Sequence, residues 1–248
     1  MTLIQNQLIE FLIKDWFCAS LGRMKESLPS ASTAVRDRIR DDIVAGVLPF
    51  GSRLTLDALA SRYTVGHMPI REALRELQGE GLVVQTPNCN ARVRAVDVEF
   101  VRNIFELRIV IESMLARRAA ERIKPDKVAA LESVQVTFET CIAGRDFAGA
   151  LAANRTFHRI INEAAGNPEA SGLLDRHWRL IAALWNTYGY GEERAAGVIS
   201  DHHQMIRAFA TRDADVAACL AMAHAAKAKQ ELIARMLRQT PGIAEAAA

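Results

Sequence analysis

Three histidines stand among apolar residues in the C-terminal half of this chain. His158 lies in "NRTFHRIINEAAGNP", four residues after Asn154; His202 lies in "VISDHHQMIRAFATRD"; His224 lies in "CLAMAHAAKAK". At helical spacing, Asn154 and His158 share a face with Phe147, Leu151 and Ile161. His202 sits among Val198, Ile199, Met205, Ile206 and Phe209, and His224 follows Leu220 by one turn. Imidazoles tilted inward from three helices, with one oxygen ligand, form a donor set for Zn2+, Ni2+ or a similar ion and leave positions open for water or ligand. The pattern alone keeps alternatives open. A histidine on an apolar face is commonly a satisfied core residue. His203, on a stripe with Ala196, Ile199, Ile206 and Ala210, competes with its neighbour, and His177 is a looser competitor. Arg108, inward on "FELRIVIE" with Glu112 one turn on, reads either as a buried ion pair or as a guanidinium that takes a carboxylate in bidentate fashion. Trp185 and Tyr188 are candidates to line the same cavity, with a core role for Trp185 equally open.

A second constellation lies upstream, in "VGHMPIREALRELQGEGLVV" (65–84). Gly66 can cap a helix and Pro69 fits its first turn, where a missing N–H costs little. Ile70, Ala73, Leu74 and Leu77 form one stripe, leaving His67, Met68, Arg71 and Arg75 facing outward. Arg71 and Arg75 are one turn apart, placed to reach guanine edges or phosphates. The competing reading pairs them with Glu72, Glu76 and Glu80 on a solvated face. Arg92 and Arg94 would approach a DNA backbone from a following hairpin.

Both constellations need elements to hold them. "STAVRDRIRDDIVAG" repeats Val35, Ile39 and Ile43 at four-residue spacing, with Ser32 or Thr33 as cap and Gly46 as stop. "LPFGSRL" reads as a turn, "TLDALASRY" as a short second helix, and 68–80 as a third. "LVVQT" and "ARVRAV" flank "PNCN" as a two-stranded hairpin. Three helices and a hairpin in 31–96 are the layout of a winged helix-turn-helix, whose last helix enters the major groove of double-stranded DNA. From Asp97 the periodicity is helical throughout, over 97–123, 126–143, 146–165, 168–187, 192–211 and 213–238. The fold class is mainly α: an N-terminal winged helix-turn-helix (31–96) followed by an all-α six-helix bundle (97–238). An extension (1–30), helical or flexible, precedes it and a flexible tail (239–248) follows.

The chain has 248 residues, an apolar fraction of 50% and a net charge of +2, so charge alone neither indicates nor excludes nucleic acid. Its four cysteines are scattered without CxxC spacing, which fits free thiols in a reducing cytoplasm. The most apolar N-terminal stretch, "LIEFLIKDWFCASL", carries Glu10, Lys14 and Asp15, short of the ~18 uncharged residues of a membrane span, and it makes a poor signal peptide.

"LASRYTVGHMPIREALRELQGEGLV" with "TPNCNARV" resembles the DNA-binding domain of GntR-type transcriptional regulators over nearly all of 33–94. The resemblance implies a DNA-contacting role for Arg71. His67 stands where the family commonly has arginine, Gly66 where it has Ser or Thr, and Cys89–Asn90 where the wing often has Arg-Gly. These departures imply an altered operator, with Met68 suited to a thymine methyl. "FELRIVIESMLARRAA", "NRTFHRIINEAAGN" and "HHQMIRAFATRDADVAACLAMAH" resemble the FCD effector domain of FadR-like members, across about 97–237. That likeness implies a divalent ion, Zn2+ before Ni2+ or Mn2+, on Asn154, His158, His202 and His224. Its register, eleven residues either side of Asp213, selects His202 over His203. Asn154 replaces the family's usual aspartate. The resemblance further implies a small carboxylate effector at Arg108, Trp185 and Tyr188, a homodimer on a two-fold operator, repression as the usual mode of action, a cytoplasmic location and no membrane partner. A metal-responsive regulator in which the ion is the signal is the alternative, as is a metal-dependent enzyme with a DNA-binding appendage.

Overall fold

A computed structural model describes residues 30–86, 90–190 and 192–239. The expected extension before Ser30, the tail beyond Gln239, and Cys18 and Cys89 lie outside the described residues. Cys141 and Cys219 are free thiols.

Helix α1 (Ala31–Val44) buries Val35, Ile39 and Ile43, the expected stripe. Its cap is Ser30 rather than Ser32 or Thr33: the Ser30 hydroxyl accepts from the Thr33 amide at 3.2 Å, and the other two hydroxyls cluster with it. Strand β1 (Arg53–Leu54) comes next, then α2 (Leu56–Tyr63), capped by Thr55, and α3 (His67–Gly79). Thr64, in the left-handed region at φ 58°, ends α2 and turns the chain toward α3. Gly66 occupies the N-cap of α3 without a side-chain bond, and Ile70, Ala73, Leu74 and Leu77 are buried beneath it. Strands β2 (Val83–Thr86) and β3 (Asn90–Val93) form the hairpin. The wing is nevertheless three-stranded, in the order β1-β3-β2 and antiparallel, with Arg53 opposite Arg92 and Leu54 opposite Ala91. The segment read as a turn therefore supplies a strand. Two residues are too few to show an alternation, and only the open edge of β3 completes their pairing.

The bundle comprises α4 (Val98–Arg122), α5 (Pro125–Ala143), α6 (Phe147–Ala165), α7 (Pro168–Tyr188), α8 (Glu192–Ala210) and α9 (Ala214–Gln239). Side-chain caps at Asp97, Asp146 and Asn167 start α4, α6 and α7. Gly166 (φ 64°) ends α6 in the left-handed region, which glycine adopts without strain. Leu115, Leu131, Phe157 and Phe209 are buried in one core, and a second continuous core runs from the bundle into the winged unit. Helix α7 makes the polar bridge between the two: Asn186 Nδ2 donates to Val44 O at 3.1 Å, and Arg179 pairs with Glu80 at 2.6 Å.

Candidate metal and ligand centre and the DNA-reading face

Helices α6, α8 and α9 carry His158, His202 and His224 to one point. Ring centroids lie 5.1 Å (158–224), 5.2 Å (202–224) and 5.5 Å (158–202) apart. One nitrogen from each lies within 4.8 Å of the other two. Phe157 stacks flat on His202 at 3.8 Å and fixes its plane. The Nδ1 of His202 meets Gln135 Oε1 at 2.7 Å, while Gln135 Nε2 donates to Glu139 Oε1 at 2.8 Å. A carbonyl oxygen only accepts, so the proton of His202 sits on Nδ1 and Nε2 carries a lone pair. That Nε2 is buried without a partner. The Nδ1 of His224 donates to Asp201 Oδ2 at 3.2 Å, and Lys227 holds the other Asp201 oxygen at 2.6 Å. Burial, and then the charge of neighbouring groups, pushes His158 and His202 well below the ordinary histidine value. Burial also pushes His224 down, against the pull of Asp201. Neutral imidazoles with outward nitrogens tied to carboxylate or amide oxygens are the form that ligates metal. Asn154 Oδ1, one turn before His158, is likewise buried and unpartnered. Three neutral imidazoles, one with its Nε2 orphaned, beside the orphaned amide oxygen of Asn154 fit a divalent cation. His203 lies outside this group, half-exposed and bonded to Glu139 at 2.7 Å, and the half-buried His177 is outside it too.

Beside the histidines is a cavity of about 30 Å3 that Asn154 and His224 help to line. Arg108 and Glu112 form a buried ion pair on its wall, 7% exposed at each side chain. The pairing uses Nη2, so Arg108 Nε and Nη1 have no partner, and the guanidinium lies over Trp178 at 5.4 Å. Trp185 lines the cavity and packs edge-on against Tyr190 at 5.3 Å. Tyr188 does not line it; its carbonyl accepts from Gln239 on the neighbouring helix end. Tyr190 and Arg194 line it instead, and sequence reasoning passed over both. Tyr190 stood in a "YGYG" break, and only the turn at Gly189 (φ 86°) folds it back. Arg194 had a readable signal: with Val198 and His202 it follows the i, i+4, i+8 register of the inward stripe.

The candidate DNA-reading face is the outer side of α3. Met68 is 66% exposed, and Arg71 and Arg75 are exposed. Neither arginine pairs with a glutamate of its own helix. Glu76 is taken by Arg36, and Glu80 by Arg40 and Arg179. His67 Nε2 lies 3.0 Å from Asp57 on the preceding helix. Arg92 is exposed on the wing, with Nη1 reaching Gly51 O at 3.2 Å. Arg94 does not face outward as expected. Its Nε donates to Gly81 O and its guanidinium covers Phe100 at 5.4 Å, tying the wing to the start of α4.

An exposed helix face with two arginines on a winged scaffold, fused to a helical bundle with a polar cavity, is the architecture of a DNA-binding regulator. Residues 31–93 match the bacterial regulatory proteins of the gntR family and residues 103–227 match the FCD domain; the chain belongs to the GntR family and carries an FCD domain. It is similar to a "Probable D-xylose utilization operon transcriptional repressor" of Paenarthrobacter nicotinovorans, 30% identical over 61% of this chain and 65% of that one. It is also similar to the "HTH-type transcriptional repressor RspR" of Escherichia coli K12, 28% identical over 51% and 56% respectively. The solved structure titled "E. coli McbR/YncC" shares the fold, with TM-score 0.69 at 21% identity over 86% of this chain and 99% of that one. A putative GntR regulator from Rhodococcus sp. RHA1 does so at TM-score 0.68 and 20% identity, over 83% and 98%. The family and these relatives are transcriptional regulators, not enzymes, so the enzymatic alternative falls away. Among the described residues no helix is long and apolar enough to cross a membrane.

Proposed function

We propose that this protein is a cytoplasmic repressor that binds a two-fold operator as a homodimer and responds to a small carboxylate at a metal-containing pocket in the helical domain. Asn154, His158, His202 and His224 would hold the ion, Zn2+ suiting a set of neutral nitrogens with one amide oxygen and Ni2+ or Mn2+ being the other candidates. When bound, the ion supplies a Lewis-acidic position for a carboxylate oxygen. Arg108 offers its unpartnered Nε and Nη1 to the same anion. On the DNA, Arg71 and Arg75 take base edges or phosphates, His67 and Met68 meet base edges at the tip of α3, and Arg92 takes the backbone from the wing.

One observation carries this reading. The orphaned Asn154 Oδ1 and the orphaned donors of Arg108 line one cavity, and the orphaned His202 Nε2 belongs to the histidine cluster that reaches it through His224. The helix over that region, α7, contributes Trp178 and Trp185 to the cavity and Arg179 to Glu80 at the end of α3. A ligand that moves α7 therefore biases the placement of the DNA-reading helix. The test measures the metal content of the purified chain and its binding to DNA flanking its own gene, with and without a panel of organic acids. Stoichiometric metal and an acid-dependent change in affinity are expected. An absence of metal, or an indifference to every acid, contradicts the proposal. A steep response to free Zn2+ without any acid would make the ion itself the signal.

A further inference from the structure

The cavity beside the histidines holds two guanidinium groups, not one. Arg108 reaches it from α4 and Arg194 from α8. They are 5% and 9% exposed, and Arg194 Nε, like Arg108 Nε and Nη1, has no hydrogen-bond partner. The hydroxyl of Tyr190, 8% exposed, lines the same cavity within electrostatic reach of Arg194 and makes no well-formed hydrogen bond. Its burial pushes the phenol up to about 12, so it stays protonated and can donate.

The nearby acids do not balance these charges. Glu112 is committed to Arg108. Asp201 is committed to His224 and Lys227, and Glu231 to Arg235. Arginine does not deprotonate in proteins, and a buried charge without a partner is costly. Asp201 and Glu231 also attract Arg194, but counted with their own partners, four cations (Arg108, Arg194, Lys227 and Arg235) stand against three carboxylates (Glu112, Asp201 and Glu231), and a divalent ion on the histidines would widen the positive excess.

We infer that Arg194 and Tyr190 form a second anion-anchoring subsite in the cavity that Arg108 also lines, and that the effector is a dicarboxylate. One carboxylate takes Arg108 and the ion. The other takes Arg194 Nε and the Tyr190 hydroxyl, each a charge-assisted bond in a water-poor site. The inference rests on the carboxylate reading of this pocket and narrows its substrate class. The free space of about 30 Å3 is about that of one water, so a short diacid enters only as the Trp185 ring yields. Trp178 and Trp185 on the wall make intrinsic fluorescence a reporter of entry.

The test uses the full Zn2+-loaded chain with succinate, its mono-amide and butyrate, followed by calorimetry and tryptophan fluorescence. Wild-type protein is expected to bind succinate about tenfold or more tightly than the mono-amide, the value of a buried charged hydrogen bond. Arg194→Met removes that preference while butyrate affinity stays within about twofold, as for a group the monoacid does not touch. Tyr190→Phe, which deletes only a hydroxyl, is expected to cost succinate about fivefold and to fold as wild type, and so decides the matter if Arg194→Met does not fold. Equal binding of succinate and its mono-amide, with butyrate still bound, overturns the dicarboxylate inference and leaves the carboxylate reading standing. Failure of all three probes to bind overturns both. A succinate preference that survives Arg194→Met and Tyr190→Phe removes these residues from the subsite.

Discussion

Gln135→Leu isolates what the outer shell of the histidine cluster contributes. The wild-type amide accepts from His202 Nδ1 at 2.7 Å, between side chains 1% and 0% exposed. No solvent can take its place. A buried donor deprived of its acceptor costs ~1–3 kcal/mol, a factor of about 5 to 140. In the variant the imidazole no longer has reason to keep its proton on Nδ1. Placing it on Nε2 blocks the lone pair that faces His158 and His224. The penalty therefore falls on metal affinity, which is expected to drop about 10–100-fold, the range for lost outer-shell partners. Competition against a chromophoric Zn2+ chelator at fixed pH reads this directly. Glu139→Gln, which loosens only the anchor of the amide at a partly exposed position, is expected to cost less than about tenfold. If Gln135→Leu folds normally and holds Zn2+ within about twofold of wild type, the tautomer argument is wrong.

Other perturbations act on the DNA face and on the bridge to it. Arg71→Ala removes an exposed, unpaired guanidinium; operator affinity is expected to fall by about 1–3 kcal/mol in an anisotropy titration, with an unchanged melting temperature. Arg179→Ala breaks the 2.6 Å bridge to Glu80, which keeps its bonds from Arg40. Basal operator affinity should hold while the shift produced by effector shrinks, and an undiminished shift would remove α7 from the coupling. Burial alone would raise the Glu80 carboxyl, but the hydrogen bond from Arg40 and the charge of Arg179 hold it below the ordinary glutamate value. A depressed folded-state value means stability that is present above the unfolded value and lost as pH falls through the folded one. Glu80→Gln should therefore narrow the loss of stability below about pH 4.3, measured by urea unfolding at stepped pH.

The helices of both units were legible because their apolar residues recur at helical spacing and their ends carry Ser, Asp, Asn, Pro or Gly. The missing strand, Arg53–Leu54, has no pattern of its own and exists through pairing with β3. At the histidine cluster, spacing brought out the three histidines but did not separate His202 from His203. The structure separates them by environment: one is stacked under Phe157 and bonded to Gln135, the other is solvated beside Glu139. Gln135 was invisible because nothing in a sequence distinguishes an amide turned toward a histidine from one turned toward water. Tyr190 replaced Tyr188 on the cavity wall because a single glycine reverses the chain between them. Of the three glutamates that the competing reading paired with Arg71 and Arg75, Glu76 and Glu80 are drawn off by arginines distant in sequence, a competition that only the tertiary fold reveals.

On the proposed function, an acid in the helical pocket and DNA on α3 bias one equilibrium. Linkage makes this testable without a structure of the complex. If succinate changes operator affinity by some factor, operator DNA must change succinate affinity by the same factor, a coupling of about 5- to 150-fold for a working regulator. Both affinities are measurable on the Zn2+-loaded chain, by anisotropy for the DNA and calorimetry for the acid. Two equal factors are expected, both collapsing toward one in Arg108→Ala. Succinate that binds with the same affinity in the presence and absence of saturating operator would contradict it.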